Sequence, residues 1–135
     1  MKPVSFALVL SAMLPLIPYA ASAFTSRHGV KVNPVSQGVF EVIPRTFNGY
    51  LFWCAAADYA HRVLKAPWGA DLHVSRGLGP SETTGRRSAV QFTLDESLVA
   101  DRPVGGYASI NSLAAGDSMS VQDAFGYCFV PFGPL

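Results

Sequence analysis

The chain has 135 residues, 50% of them hydrophobic and 14% charged, with ten lysines and arginines against nine aspartates and glutamates. This length suits one domain with a modest hydrophobic core. The near balance of charge excludes a general attraction to nucleic acid or to anionic membranes, and no spacing typical of a metal or cofactor site occurs, so we expect none of these partners.

The first 23 residues have the order of segments that is typical of a secretory signal peptide. A single lysine precedes an uncharged apolar run over residues 4–20, and Ala21-Ser22-Ala23 supplies the small residues of a cleavage site. A retained membrane anchor is the alternative, since a span needs about 20 apolar residues. Pro15 and Pro18 favour cleavage, because they interrupt a helix just before the small residues.

Cleavage after Ala23 defines a mature domain of residues 24–135, located in the periplasm or secreted, with no membrane span left after cleavage. Loss of Lys2 leaves equal numbers of basic and acidic residues, so the mature domain has a formal charge of zero. An acidic partner of such a domain needs a local site, because a neutral protein has no general field to attract it.

The mature chain opens with a polar, turn-rich segment, residues 24–37, which we expect to run over the surface. A first strand is predicted at Val39–Ile43, and Pro44 ends it.

Apolar residues recur at helical spacing from Phe52 to Leu64, which predicts a long amphipathic helix. Its core-facing residues are predicted to be Phe52, Tyr59, Ala60 and Val63. Its water-facing residues are predicted to be Asp58, Arg62 and Lys65. Asp58 and Arg62, one turn apart, then form a weak surface pair.

Alternating side chains predict two strands, at Leu72–Ser75 and Val90–Leu94, which pair as an antiparallel hairpin around a mobile or shaped loop. A short strand is expected at Tyr107–Ile110. Ser120, three residues before Asp123, predicts a capped short C-terminal helix, with a strand within 118–129 as the alternative. Together these elements predict an α+β domain with a small antiparallel sheet, one long helix and one short helix.

Cys54 and Cys128 are the only cysteines, and an even number in an exported chain favours a disulfide over two buried thiols. Closing the long loop between them stabilises the fold by about 4.5 kcal/mol in the chain-entropy description. The bond would tie the long helix to the carboxyl end.

Cys54, Asp58 and His61 have the residue types of a cysteine hydrolase, in which a base activates a thiolate. Their spacing excludes that chemistry, because residues 54 and 61 lie about 10 Å apart along one helix, whereas a nucleophile and its base need about 3 Å. A metal site that adds His73 would need a free Cys54, which the disulfide denies. We therefore predict no catalytic and no metal-binding residues.

The stretch from Arg76 to Arg87 gathers three arginines among glycines and hydroxyl residues. Because guanidinium groups bind carboxylates and phosphates with paired N–H donors, we predict an anion- or partner-binding site on Arg76, Arg86 and Arg87. Arg86 and Arg87 would point to opposite faces of an extended strand, so at most one of them joins Arg76. The alternative is an ordinary solvated loop in which Glu82 neutralises one arginine.

Two resemblances extend these expectations. Gly116-Asp117-Ser118-Met119 locally resembles the helix start of LysM peptidoglycan-binding modules, which implies a helix opening at these residues. Over most of the mature length, through FWCAAADYA, the stretch Ser81–Phe92 and the final cysteine, the chain looks like uncharacterised small exported proteins of alphaproteobacteria. That resemblance implies export and one compact domain, and implies no site.

The leading functional hypothesis is a non-enzymatic, disulfide-stabilised periplasmic or secreted domain that binds a small ligand or an unknown envelope or extracellular partner. The alternatives are a cell-envelope hydrolase and a structural accessory protein of the envelope. A pocket with a histidine, a carboxylate and a hydroxyl would favour the hydrolase, whereas an arginine-bearing hairpin favours binding.

Expression with export should yield a protein whose amino-terminal residue is Phe24, because the signal peptidase cuts after Ala23. Intact-mass spectrometry of the purified protein measures this directly. A mass that retains residues 1–23 would contradict the prediction.

Overall fold

The computed structural model describes residues 23–99 and 113–130, together with the single residue Pro3. In these ranges six strands form one antiparallel sheet in the order β1-β2-β3-β5-β4-β6. The strands are β1 Phe24–Thr25, β2 Lys31–Ser36, β3 Val39–Ile43, β4 Asp71–Gly79, β5 Ala89–Thr93 and β6 Ser118–Ser120. The helices are α1 Gly49–Arg62 and α2 Val121–Gly126. The predicted α+β architecture and the antiparallel pairing of β4 with β5 are confirmed.

Helix α1 lies on one face of the sheet and supplies the middle of the core. Ring contacts join the two layers: Phe40 of β3 meets Tyr59 with centroids 4.6 Å apart, and Phe92 of β5 meets Trp53 at 5.2 Å. Alternate residues of the central strands are buried beside them: Val32, Phe40, Val42, Leu72, Val74, Val90 and Phe92. Because each buried side chain of this size contributes about 1.5–3 kcal/mol, this layer contact dominates the stability of the fold.

A side-chain cap marks the start of α1, and a change of backbone conformation follows its end. The Asn48 side chain caps its start by accepting a hydrogen bond from the Tyr50 N–H at 2.9 Å. Past Arg62 the chain leaves the helix, and Lys65 adopts a left-handed backbone with a φ of 59°. Val63 is therefore 43% exposed, and its predicted place in the core is wrong. Burial is confirmed for Phe52, Tyr59 and Ala60.

Asp58 is fully buried, so the prediction that it faces water is wrong. A short 3-10 turn, Arg27–Gly29, lies over it, and the Arg27 N–H donates to Asp58 Oδ2 at 2.9 Å. Arg62 reaches the same carboxylate from the surface, with Nε at 2.6 Å and Nη2 at 2.7 Å. The helical spacing of polar residues could not reveal a cover that comes from a segment 31 residues away.

The amino-terminal segment belongs to the sheet, so the prediction of a surface segment over 24–37 is wrong. β1 pairs with the start of β2, and β2 pairs with β3 through a turn in which Gly38 has a φ of 82°. Pro34 argues against a strand in the sequence, yet it stands in β2. It is tolerated because β1 pairs only with Lys31 and Val32, so that among the described residues no strand pairs with the outer edge of β2 at Pro34.

The carboxyl side is anchored to α1 by the predicted disulfide between Cys54 and Cys128, whose Cα atoms are 4.9 Å apart. α2 begins after Ser120, whose hydroxyl accepts from the Asp123 N–H at 3.1 Å, as predicted. The helix opening implied by the LysM resemblance at residues 116–119 is wrong, because residues 115–116 form a turn and Ser118–Ser120 form β6. The strand predicted at 107–110 lies outside the described ranges.

Replacing Asp58 by alanine should lower the free energy of unfolding by about 2–4 kcal/mol, because the Arg27 N–H and the Arg62 guanidinium lose a buried charged acceptor. Urea unfolding followed by circular dichroism measures the change. Asp71→Ala, at an exposed acidic position, is the control and should change the free energy by less than about 0.5 kcal/mol. Equally small effects of both substitutions would contradict the structural role of Asp58.

Candidate functional site: a cationic groove

The face of the sheet opposite α1 carries a row of polar residues. Strand pairing places four of them side by side across β2, β3, β5 and β4: Asn33, Glu41, Gln91 and Arg76. The hairpin loop, residues 80–88 between β4 and β5, folds back over this row. Asn33 Nδ2 donates to Thr83 Oγ1 at 2.9 Å, and Gln91 Nε2 donates to Glu82 Oε2 at 2.9 Å. Glu82 thus pairs with an amide rather than with an arginine.

Glu41 holds the hairpin loop in place. Its buried carboxylate accepts hydrogen bonds from the hydroxyls of Ser81 and Thr83, both at 2.5 Å, and from the N–H groups of Glu82 and Thr83, both at 3.0 Å. Burial alone would raise the pKa of Glu41. The four hydrogen bonds together lower the pKa by more than burial raises it, so it lies below its ordinary value of 4.5. The loop is therefore fixed to an ionised group at neutral pH.

A chain of hydrogen bonds continues from Glu41 to Arg86. The Ser81 hydroxyl accepts from Thr84 Oγ1 at 2.7 Å, and Thr84 Oγ1 in turn accepts from the Arg86 N–H at 3.2 Å. The Ser81 N–H donates to the Arg86 carbonyl at 3.0 Å. Two hydroxyl groups thus connect the buried carboxylate to the backbone of Arg86.

An open groove of about 510 Å³ lies beside this loop. Three cations line it from three segments: Lys31 at the start of β2, Arg45 just after β3, and Arg86 in the hairpin loop. The other described lining residues are Gly29, Ile43 and Thr84. In the part of the chain that the structure describes, none of the three cationic side chains has a hydrogen bond or an ion pair. We call this feature the cationic groove.

Of the three arginines predicted to bind an anion, Arg86 alone lines the cationic groove. Arg76 lies in the polar row, where its guanidinium donates to the carbonyls of Ala89 at 3.2 Å and Gly77 at 3.3 Å. Arg87 is exposed and lies outside the groove lining. Arg86 is therefore available to a ligand in the groove, whereas Arg76 binds backbone carbonyls of its own hairpin.

Sequence reasoning missed Lys31, Arg45 and Glu41. Lys31 and Arg45 carry no local signal, because only the pairing of β2 with β3 brings them to the groove that Arg86 lines. Glu41 does carry one, since a carboxylate at the centre of the apolar strand Val39–Ile43 must face water or find hydrogen-bond donors.

Three of the four residues in the hydrolase and metal alternatives are engaged elsewhere. Cys54 is in the disulfide, and Asp58 binds Arg62 and the Arg27 N–H. His61 Nδ1 lies 3.1 Å from the Ala66 carbonyl oxygen. Within residues 23–99 and 113–130, no three histidines, cysteines, aspartates or glutamates are grouped so that they could hold a metal ion.

Comparison of the chain with known protein families, with curated proteins and with solved structures finds no match. Across the described ranges, no helix has the length and apolar character needed to cross a membrane. The candidate site therefore rests on the geometry of this chain's own residues.

Glu41→Gln should lower the free energy of unfolding by about 1–3 kcal/mol above pH 5, because an amide accepts these hydrogen bonds less strongly than a carboxylate. A lowered native pKa means that the contribution of the carboxylate is present above about pH 4.5 and is lost as the pH falls through the native value. The stability difference between wild type and variant should therefore shrink below that pH.

Urea unfolding of both proteins between about pH 3 and pH 7 tests this expectation. Asp95, whose pKa is also lowered, by hydrogen bonds from Ser97, is present in both proteins and cancels in the difference. A difference that stays constant or grows toward acid would contradict the assignment.

Proposed function

We propose that this protein is an exported, disulfide-stabilised, non-enzymatic domain that binds an anionic ligand, or an acidic group of a partner, in the cationic groove. The observation that carries the proposal is the convergence of Lys31, Arg45 and Arg86 on one groove, whose described lining contains no carboxylate. Like charges gathered in one place repel one another, and a bound anion relieves that repulsion. The groove therefore favours negatively charged ligands.

Because the whole chain is almost neutral, the three clustered cations are the main source of attraction for an anion. Ten basic residues against nine acidic residues give almost no long-range field. Anions are then attracted mainly where cations concentrate, and a groove focuses that potential between its walls. Ligand binding at the groove should accordingly weaken as added salt screens the exposed cations.

Preorganisation of the hairpin loop supports binding further. The relay from Glu41 through Ser81 and Thr84 already fixes the backbone of Arg86, so a ligand need not order the loop. The cost that remains is the immobilisation of the long cationic side chains, about 0.5–1.5 kcal/mol for each.

The disulfide between Cys54 and Cys128 is compatible with an oxidising compartment, and together with the signal-like amino end it supports a periplasmic or secreted location. The hydrolase alternative needs a histidine, a carboxylate and a hydroxyl in one cavity. The groove lining offers the Thr84 hydroxyl, which is already engaged by Ser81 and Arg86. Binding is the function better supported.

Arg45→Ala and Arg86→Ala should each weaken the binding of a small anion by about 1–2 kcal/mol, because each removes charge-assisted hydrogen bonds at a partly solvated site. Isothermal titration with citrate, succinate and inorganic phosphate at low salt measures the affinity, and repeating the titration at higher salt should weaken it.

Arg87→Ala is the matched control, because it removes the same charge from the same loop at a position outside the groove lining. It should bind like wild type, and urea unfolding checks that all three variants keep their fold. If Arg87→Ala loses as much affinity as the groove variants, the groove is not the binding site. If wild type binds none of the three anions, the proposed function is overturned.

A further inference from the structure

We infer that the cationic groove is suited to a phosphoryl group, that is, to a phosphomonoester carried by a soluble small molecule or by a lipid headgroup. This inference rests on the anion-binding function proposed above and names the ligand class. Carboxylates are the competing class. The charge of the lining, the shape of its donor groups and the size of the groove each distinguish the two.

Charge favours the phosphoryl group. Lys31, Arg45 and Arg86 bring three positive charges to the groove, and no described residue pairs with any of them. A carboxylate offsets a single charge, whereas a phosphomonoester carries about −1.5 to −2 at pH 7. The phosphoryl group therefore relieves more of the repulsion among the three cations.

The donor groups point the same way. Arg45 follows β3 and Arg86 belongs to the hairpin loop, so two arginines from separate segments line the groove and each can supply a planar guanidinium fork. One fork already occupies both oxygens of a carboxylate in the bidentate geometry. A phosphoryl group has three terminal oxygens that are not confined to one plane, and it can accept from both forks and from the Lys31 ammonium together.

The groove has room for more than the phosphoryl group. Its volume of about 510 Å³ lies within the range of about 300–1,000 Å³ that small-molecule sites occupy. Ile43 contributes an apolar part of the lining, and Gly29 adds no side chain to it. A phosphorylated molecule with a small carbon body fits this composition better than a bare inorganic ion does.

The test compares two ligands of equal charge on the mature chain. At pH 8 glycerol 2-phosphate and succinate each carry about two negative charges, so a difference in affinity reports the arrangement of the donors. We expect glycerol 2-phosphate to bind at least about tenfold more tightly. Arg45→Lys and Arg86→Lys keep the charge but lose the fork, so each should reduce this preference, whereas Arg87→Lys should leave it unchanged.

Vesicles distinguish the two sources of the phosphoryl group. Phosphatidylcholine vesicles that contain phosphatidic acid display a monoester, and those that contain phosphatidylglycerol display a diester of lower charge. Cosedimentation with the phosphatidic acid vesicles, reduced by Arg45→Lys, would assign the site to a lipid headgroup. Binding of glycerol 2-phosphate without vesicle binding would assign it to a soluble phosphomonoester.

The remaining outcomes separate this inference from the proposed function. If succinate binds as tightly as glycerol 2-phosphate, and Arg86→Ala weakens the binding of both equally, the phosphoryl assignment is overturned. Anion binding in the groove would still stand. Equal binding of both vesicle types, without binding of glycerol 2-phosphate, would also overturn it. Failure of the groove to bind any of these anions would overturn both.

Discussion

A carboxylate enclosed in a protein has to be hydrogen-bonded, and this requirement at Glu41 determines the shape of the hairpin loop. Glu41 occupies the centre of an otherwise apolar strand, and residues 81–83 supply all four of its hydrogen bonds. The tip of the loop has few apolar side chains that could pack on the sheet. Without the carboxylate, little would fix the position of Arg86.

Asp58 meets the same requirement on the other side of the sheet. It accepts the Arg27 N–H and so holds the turn Arg27–Gly29, from which the chain leads directly to Lys31. Gly29 and Lys31 form one part of the groove lining, and Thr84 and Arg86 form another. Each part is therefore tied to a buried carboxylate, and the protein uses interior negative charge to position exposed positive charge.

The features that the sequence predicted are those with short-range causes. The periodicity of α1, the alternation of β4 and β5, and the Ser120 cap of α2 depend on residues a few positions apart. Three other features depend on contacts between segments that are distant in the sequence. They are the burial of Asp58 under residues 27–29, the pairing of residues 24–36 in the sheet, and the presence of Lys31 and Arg86 in one groove. No local pattern encodes such contacts, so one of the three groove cations was predicted and two were not.

The disulfide also imposes an order in time. Cys54 and Cys128 are 74 residues apart, and at about 5–20 residues per second a ribosome needs roughly 4–15 seconds to make the second cysteine after the first. During that interval α1 lacks α2 and the turn Tyr127–Phe129, which pack against it in the finished fold. Until Cys128 is present the Cys54 thiol has no native partner, so the formation of this disulfide waits for the carboxyl-side segment that packs on α1.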